Sequence, residues 1–211
     1  MGHFLAVSAV KTNDVEGLAE NIDKYAKENG VKSQRLEGKV ELSEDRHVLV
    51  FPPENGWCVV LWPAYFNIHD VPAAKYLSEN LNALVSSVNV YDGDYWCHSF
   101  FDSGVQIDSY CSMPGYWAEN DKELKENIEK YKGCPAGVAQ KLDISIERIE
   151  GYYKHIIEDI EYSKVNDSDE FEIDDFWVFT DFWNCLGIEY PEDMEAYSSI
   201  IDLTRFFSKN E

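Results

Sequence analysis

A cysteine and a histidine stand side by side in the stretch DGDYWCHSFFDSGVQIDSYC, residues 92–111. Three interpretations compete: Cys97 as a nucleophile with His98 as its base, Cys97 and Cys111 as half of a metal site, or a β-hairpin with an aromatic core. Successive side chains of a strand point to opposite faces, so Cys97 and His98 cannot hydrogen-bond to each other within one strand. The pattern therefore favours the hairpin.

The hairpin turn is predicted at residues 102–104, where Gly104 suits the positive φ of a three-residue turn. That register sets Cys97 opposite Ser109 and makes Cys97 and Cys111 diagonal neighbours on one face. A disulfide or a two-thiolate metal site is compatible with this geometry. Zinc, however, needs four ligands, and no other Cys or His follows at a typical spacing. We therefore expect no metal and no cofactor, with all five cysteines as free thiols.

Nine acidic residues and a single basic one lie between His155 and Asp175, which makes this the most densely charged segment of the chain. A calcium-binding loop that begins at Asp167 is excluded, because Glu172 stands where the tight turn needs glycine and Val178 where a bidentate glutamate belongs. Two interpretations stay open. One is a solvated connector whose last acids lie at a helix N-terminus, and the other is an acidic docking surface for a basic partner.

The docking interpretation also uses an aromatic residue of the same segment. Trp177 is predicted to point away from the apolar stripe of the following helix, Phe176, Phe179 and Trp183, and to anchor an interface. The candidate partner-binding residues are Asp167, Asp169, Glu170, Glu172, Asp174, Asp175 and Trp177.

The chain of 211 residues carries a formal net charge of −22, with 40 acidic against 18 basic side chains. Residues 1–117 carry net −8 and residues 118–211 net −14, so the acidity is concentrated in the second part. Such a charge repels phosphate backbones and anionic lipid, which argues against nucleic acid or a membrane as a direct partner. No apolar run reaches the roughly 18 residues of a membrane span, and the N-terminal stretch lacks a signal-peptide pattern, so we expect a cytoplasmic protein.

Strand and helix patterns alternate in the first part of the chain. Strands are predicted over 3–10, 35–42, 47–52, 56–63, 88–91 and in the hairpin, with helices between Asn13 and Gly30 and from Asp70 onward. Three further helices are predicted: 118–133, one from Asp143 or Ser145 through Ile160, and one from Asp174 or Asp175 to Gly187. This order predicts an α+β fold. Residues 1–117 would form a mostly antiparallel sheet with two helices, and residues 118–211 an acidic region of about three helices packed against it as a single globular unit.

No dinucleotide-binding, Walker A, zinc-protease or nucleophile-elbow motif is present, which favours a function without catalysis. The leading hypothesis is an acidic protein-binding module, such as an immunity-type or inhibitor protein, that neutralises a basic partner. The first alternative is an enzyme or small-molecule binder with a cleft lined by some of the 30 aromatic residues. The second is a homo-oligomeric structural or interaction protein.

Overall fold

The computed structural model describes residues 3–38, 40–64, 66, 69–156 and 162–203. Its strands are β1 (Leu5–Val10), β2 (Ser33–Leu36), β3 (His47–Val50), β4 (Cys58–Leu61), β5 (Leu84–Tyr91), β6 (Tyr95–Asp102), β7 (Val105–Cys111) and β8 (Ser199–Leu203). Its helices are α1 (Val15–Glu28), α2 (Asp70–Leu81), α3 (Asp121–Lys130), α4 (Pro135–Leu142) and α5 (Val178–Cys185), and two 3-10 turns span Ile146–Arg148 and Glu150–Tyr152.

The described strands form one eight-stranded sheet in the order β2-β8-β3-β4-β1-β5-β6-β7. Every pair of neighbouring strands runs antiparallel. The prediction of an α+β fold built on an antiparallel sheet is therefore confirmed. Across the same described ranges, no helix combines the length and the apolar character needed to cross a membrane.

Strand β8 was missed in the sequence analysis, which assigned only helices to the second part of the chain. It lies between β2 and β3 and pairs with both of them, with Ile201 opposite Arg35 on one side and Val48 on the other. Residues 1–117 and 118–203 thus share one sheet. A five-residue apolar strand at a large sequence distance from its partners carries no local turn signal that would reveal its pairing.

Alternating side chains divide the sheet into two buried faces, as the period of a strand requires. On β1, Leu5, Val7 and Ala9 belong to one hydrophobic cluster, whereas Ala6 and Val10 belong to the other. Helices α1 and α2 cover the second of these faces, called here the α1/α2 face. Helix α5, together with α4 and the 3-10 turns, covers the first, called the α5 face.

The helix predicted from Asp143 or Ser145 through Ile160 is wrong for the described part of that range. Residues 146–152 form the two 3-10 turns, and 157–161 lie outside the described residues. A Cβ on Gly151 would collide with Cγ1 of Val165, so this glycine marks a close approach between two segments. Glycine and a run of β-branched isoleucines also weaken a long helix. Helix α4, which begins at Pro135, was not predicted.

The aromatic helix α5 begins at Val178, three or four residues later than predicted. Because Trp177 precedes the first helical turn, helical spacing does not fix its direction. The prediction that it points away from the aromatic stripe is wrong: its ring lies 5.3 Å from Phe176 and 5.7 Å from Phe179, between ring centroids. Of the predicted stripe, Phe179, Phe182 and Trp183 are confirmed as fully buried core, whereas Phe176 lies before the helix and is half-buried.

Replacing Trp183 with alanine is expected to destabilise the protein by about 3–5 kcal/mol, because a fully buried indole leaves a large cavity. Its Nε1–H also donates to Ser86 Oγ at 3.0 Å, and this hydrogen bond is lost as well. Urea unfolding measures the free energy of unfolding directly. The matched control is Trp117→Ala, since Trp117 is 46% exposed and should cost less than about 1 kcal/mol. Equal losses in the two variants would contradict this account of the core.

Candidate functional site

A chain of hydrogen bonds links a serine, a histidine and an aspartate on the α5 face of the sheet. Ser86 Oγ lies 2.9 Å from His98 Nε2, and His98 Nδ1 lies 2.6 Å from Asp108 Oδ2. The three residues come from the neighbouring strands β5, β6 and β7. Their order is that of a nucleophile, a general base and the carboxylate that orients it. This is the arrangement within the described residues that most resembles catalytic machinery.

A β-bulge brings Asp108 to this face. The hairpin turns at Ser103 and Gly104, both with positive φ, so that Asp102 pairs with Val105 and Phe101 with Gln106. The register then shifts and Phe100 pairs with Asp108, which leaves Ile107 as the extra residue of β7. A one-residue shift moves a side chain to the opposite face of a sheet. Without it, Asp108 would pair with Ser99 and point away from His98.

Because its three residues are buried, the hydrogen-bond network of Ser86, His98 and Asp108 has a structural role. Ser86 is fully buried, and His98 and Asp108 are 1% and 2% exposed. The Ser86 hydroxyl is covered by the Trp183 indole, which donates to it at 3.0 Å. Asp108 also accepts hydrogen bonds from Tyr153 Oη at 3.2 Å and from the backbone N–H of Cys134. A substrate would have to displace Trp183 from the core to reach Ser86 Oγ. The network of Ser86, His98 and Asp108 instead holds the sheet and the segments packed on it together, and it is called here the clamp.

The cysteines of the hairpin lie directly opposite each other, which corrects the predicted diagonal arrangement. Cys97 pairs with Cys111, because the two-residue turn and the bulge together shift the register. Both are free thiols, as are Cys58, Cys134 and Cys185. Burial, followed by the hydrogen bond between the two thiols, raises the pKa of Cys97 well above its ordinary value. The described ranges contain no cluster of three or more Cys, His, Asp or Glu side chains arranged to hold a metal ion.

The seven residues predicted to bind a partner fall into three groups. The carboxylates of Asp167, Glu172, Asp174 and Asp175 are exposed, and Asp175 accepts a hydrogen bond from the backbone N–H of Trp177 at 2.8 Å. Asp169 is 8% exposed and accepts from Tyr152 Oη at 2.7 Å. Glu170 and Trp177 line the same cavity. Partner binding by the seven stays a prediction, but the structure brings just these two together in a concave surface.

Two buried carboxylates fasten the acidic segment to the core. Asp169 accepts hydrogen bonds from Tyr152 and from the backbone N–H of Asn166. Asp181 of α5 accepts from the backbone N–H groups of Glu170 and Phe171 at distances from 2.9 to 3.1 Å. Each buried carboxylate thereby has the hydrogen-bond donors that a charge requires away from water. The segment is thus held in place while the Glu170 side chain faces solvent.

The cavity that contains Glu170 is an acidic groove of about 830 Å³. Its carboxylates come from three distant segments: Glu54, Glu170, Glu189, Glu192 and Asp193. Its aromatic lining consists of Phe51, Trp57, Phe171, Trp177 and Tyr190. Among the described residues that line the groove there is no Lys, Arg or His. The groove therefore combines negative charge with an aromatic lining.

Two carboxylates of the groove repel each other. The charge of Glu189, followed by a hydrogen bond between the two side chains, raises the pKa of Glu54 above its ordinary value. Asn55 Nδ2 donates to Glu189 Oε1 at 2.9 Å and so fixes the position of that carboxylate. A cation placed between the two glutamates would relieve the repulsion.

Most of the groove was missed in the sequence analysis. Glu54 and Asn55 belong to the short PENG link between the strands predicted over 47–52 and 56–63, a sequence typical of a turn. Glu189, Glu192 and Asp193 belong to the stretch IEYPEDME, whose acids follow α5 and stand beside Tyr190 and Pro191. Acids that alternate with an aromatic residue and a proline are a signal for an exposed binding loop, and this signal was available in the sequence.

Replacing Asp108 with asparagine is expected to destabilise the protein by about 3–5 kcal/mol, because the buried donors of His98 and Cys134 lose their charged acceptor. Urea unfolding at neutral pH measures the loss. Asp102→Asn is the control from the same hairpin, because its ion pair with Lys141 is partly exposed and should contribute under about 1 kcal/mol. An Asp108 variant as stable as the control would show that the clamp does not hold the layers together.

Alkylation by iodoacetamide at about pH 8 is expected to modify Cys134 first, because the thiolate is the reactive form and this cysteine is exposed. Burial raises the pKa of Cys58 to about 11 and that of Cys97 well above its ordinary value, which slows both. Peptide mass spectrometry over time gives the order of modification, with urea-unfolded protein as the control in which all cysteines react. Modification of Cys97 as fast as Cys134 would contradict the packing of the hairpin.

Comparisons with protein-family models, with curated proteins and with solved structures found no match.

Proposed function

We propose that this protein is a non-catalytic binding module whose acidic groove binds a basic segment of a partner protein. The observation that carries the proposal is the combination of five carboxylates and five aromatic side chains in one groove, without a basic side chain among its described lining residues. A lysine or arginine side chain fits this lining, because its charge pairs with carboxylates and its face or methylene stem packs on aromatic rings.

Charge repulsion inside the groove supports a cationic occupant. The raised pKa of Glu54 reflects the cost of holding its carboxylate beside that of Glu189. A bound cation lowers this cost and so favours the ionised form of both groups. The sign follows directly: affinity for a cation should be full above the raised pKa of Glu54 and should fall as the pH drops through it.

The aromatic side of the groove supports the same conclusion. The Trp57 ring is 3% exposed and already has Lys11 Nζ at 5.4 Å from its centroid, so the aromatic contacts of a partner would fall to the other rings of the groove. The ring of Trp177 lies 5.6 Å from that of Tyr190 in an edge-to-face arrangement. Tryptophan and tyrosine held in fixed positions are frequent anchors of protein interfaces.

The overall charge of −22 supports fast association with a basic partner through electrostatic steering. An inhibitor or immunity-type protein is one class with this requirement, and we assign that role by analogy of charge alone. The free state of all five cysteines supports a reducing compartment, and we propose the cytoplasm.

A groove variant tests the proposal: Glu54→Gln, Glu189→Gln, Glu192→Gln and Asp193→Asn combined. A fluorescent hexa-arginine peptide serves as the probe, and fluorescence anisotropy measures its Kd at low salt. We expect the variant to bind about tenfold more weakly, since four partly solvated ion pairs contribute about 0.3–0.5 kcal/mol each. Raising the salt concentration should weaken wild-type binding more steeply than variant binding.

The matched control neutralises four exposed acids outside the groove: Glu20→Gln, Glu37→Gln, Glu126→Gln and Glu129→Gln. It changes the net charge by the same amount, so long-range attraction falls equally in both variants. We expect less than about a threefold loss of affinity in this control. Equal losses in the two variants would show that the peptide senses only the total charge, and the groove would no longer be the binding site.

A further inference from the structure

A second cavity of about 340 Å³ lies on the α5 face and shares Trp177 and Tyr190 with the acidic groove. It is called here the His47 pocket. Its sheet side is formed by Leu5, Leu49 and Leu61, one from each of the strands β1, β3 and β4, and its other walls include Phe4, Leu42, Met194, Trp177 and Tyr190. In size it lies at the lower end of the range of about 300–1,000 Å³ that small-molecule sites occupy.

His47 contributes a hydrogen-bond donor to this apolar pocket. The residue is 4% exposed, and the backbone N–H of Ser43 donates to its Nδ1 at 3.0 Å. A backbone N–H can only donate, so Nδ1 carries the lone pair and the proton of the neutral ring is on Nε2. Burial lowers the pKa of His47 and outweighs the opposite effect of the Asp202 carboxylate, so the ring is neutral. Nε2 is buried and finds no hydrogen-bond partner among the described residues.

A buried donor that lacks a partner is costly, and native structures give such groups a role. Most of the other residues that line the pocket are leucines and aromatic residues, and its further polar lining residues are His3, Ser43 and Glu44. A molecule that fills the pocket and accepts a hydrogen bond from the His47 Nε2–H would satisfy the donor and cover the apolar surface at the same time. Ligand sites commonly consist of an apolar lining with a few such polar groups that fix the orientation of the ligand.

We propose that the His47 pocket binds a small, uncharged, largely apolar molecule whose carbonyl oxygen accepts a hydrogen bond from His47 Nε2. The proposal goes beyond the binding of a basic partner and does not depend on it, since the groove and the pocket present different chemistry. His47, Leu49 and Leu61 belong to the pocket alone, whereas all the groove carboxylates of the partner proposal lie outside it.

The charges near the pocket select a neutral carbonyl over an ion. Asp202 pairs with His47 in the β3–β8 register, and its carboxylate together with the net charge of −22 disfavours an anionic ligand. Glu44 also lines the pocket, and its exposed carboxylate disfavours an anion further; a cation can pair with Glu44 but cannot accept the hydrogen bond of the His47 Nε2–H. The described residues contain no group of three or more His, Cys, Asp or Glu side chains that could hold a metal ion, at this pocket or at another place. We therefore do not assign His47 as a metal ligand.

A matched pair of probes tests the hydrogen bond. Cyclohexyl methyl ketone has a carbonyl where isopropenylcyclohexane, of the same shape, has a C=CH₂ group. Both are titrated into the full chain with ¹⁵N-labelled histidine, and NMR records the Nε2 resonance of His47 and the Kd of each probe. We expect the ketone to shift that resonance and to bind at least about tenfold more tightly than the alkene, a difference of about 1.4 kcal/mol.

Two variants locate the effect. His47→Phe removes the donor but retains a ring, so the advantage of the ketone over the alkene should disappear. His155→Phe is the control, since His155 lies outside the pocket with its Nε2 3.4 Å from the carbonyl oxygen of Tyr131, and it should behave like the wild type. The wild-type Nε2 shift decides the question even where a variant fails to fold. Equal affinities for the two probes, or no binding of the ketone up to its solubility limit, would overturn the proposal.

Discussion

The carboxylate of Asp108 ties strand β6 to two segments from the second half of the chain. It accepts hydrogen bonds from His98 on β6, from Tyr153 after the 3-10 turns and from the backbone of Cys134 at the start of α4. His98 continues the network through Ser86 to Trp183 of α5. A buried carboxylate is tolerated only when its donors are in place, so one residue requires three elements to pack in a single arrangement.

The same principle explains how an acidic chain can present a groove of like charges. Asp169 accepts hydrogen bonds from Tyr152 and Asn166, and Asp181 accepts them from the backbone N–H groups of Glu170 and Phe171. On the other side of the groove, the hydrogen bond from Asn55 Nδ2 fixes the Glu189 carboxylate, whose charge raises the pKa of Glu54. Carboxylates in the core provide the rigidity, and carboxylates at the surface provide an unsatisfied charge that favours a cation.

Local sequence patterns predicted single strands and helices, which depend on neighbouring residues. They did not predict features that form where distant segments of the chain meet. Strand β1 was predicted from a β-prone apolar run, and the core positions Phe179, Phe182 and Trp183 from their helical spacing. The bulge at Ile107 was not predicted. One extra residue does not alter the sequence pattern of a hairpin, but it moves the Asp108 side chain to the opposite face of the sheet. The groove unites segments more than a hundred residues apart, so its composition became visible only in the fold.

Trp177 and Tyr190 form the boundary between two chemically different cavities. On one side lie the carboxylates of the groove, and on the other lie the leucines of three strands and the His47 donor. Contacts with Phe179, with Tyr190 and with His3, at ring distances of 5.6–5.7 Å, hold the Trp177 indole in place. A wall that is already ordered loses little conformational entropy when a ligand binds on either side. Both cavities are lined by the rings of Trp177 and Tyr190, so a ligand that moved either ring would change both sites. Ligands that bind without moving these rings would bind to the two cavities independently.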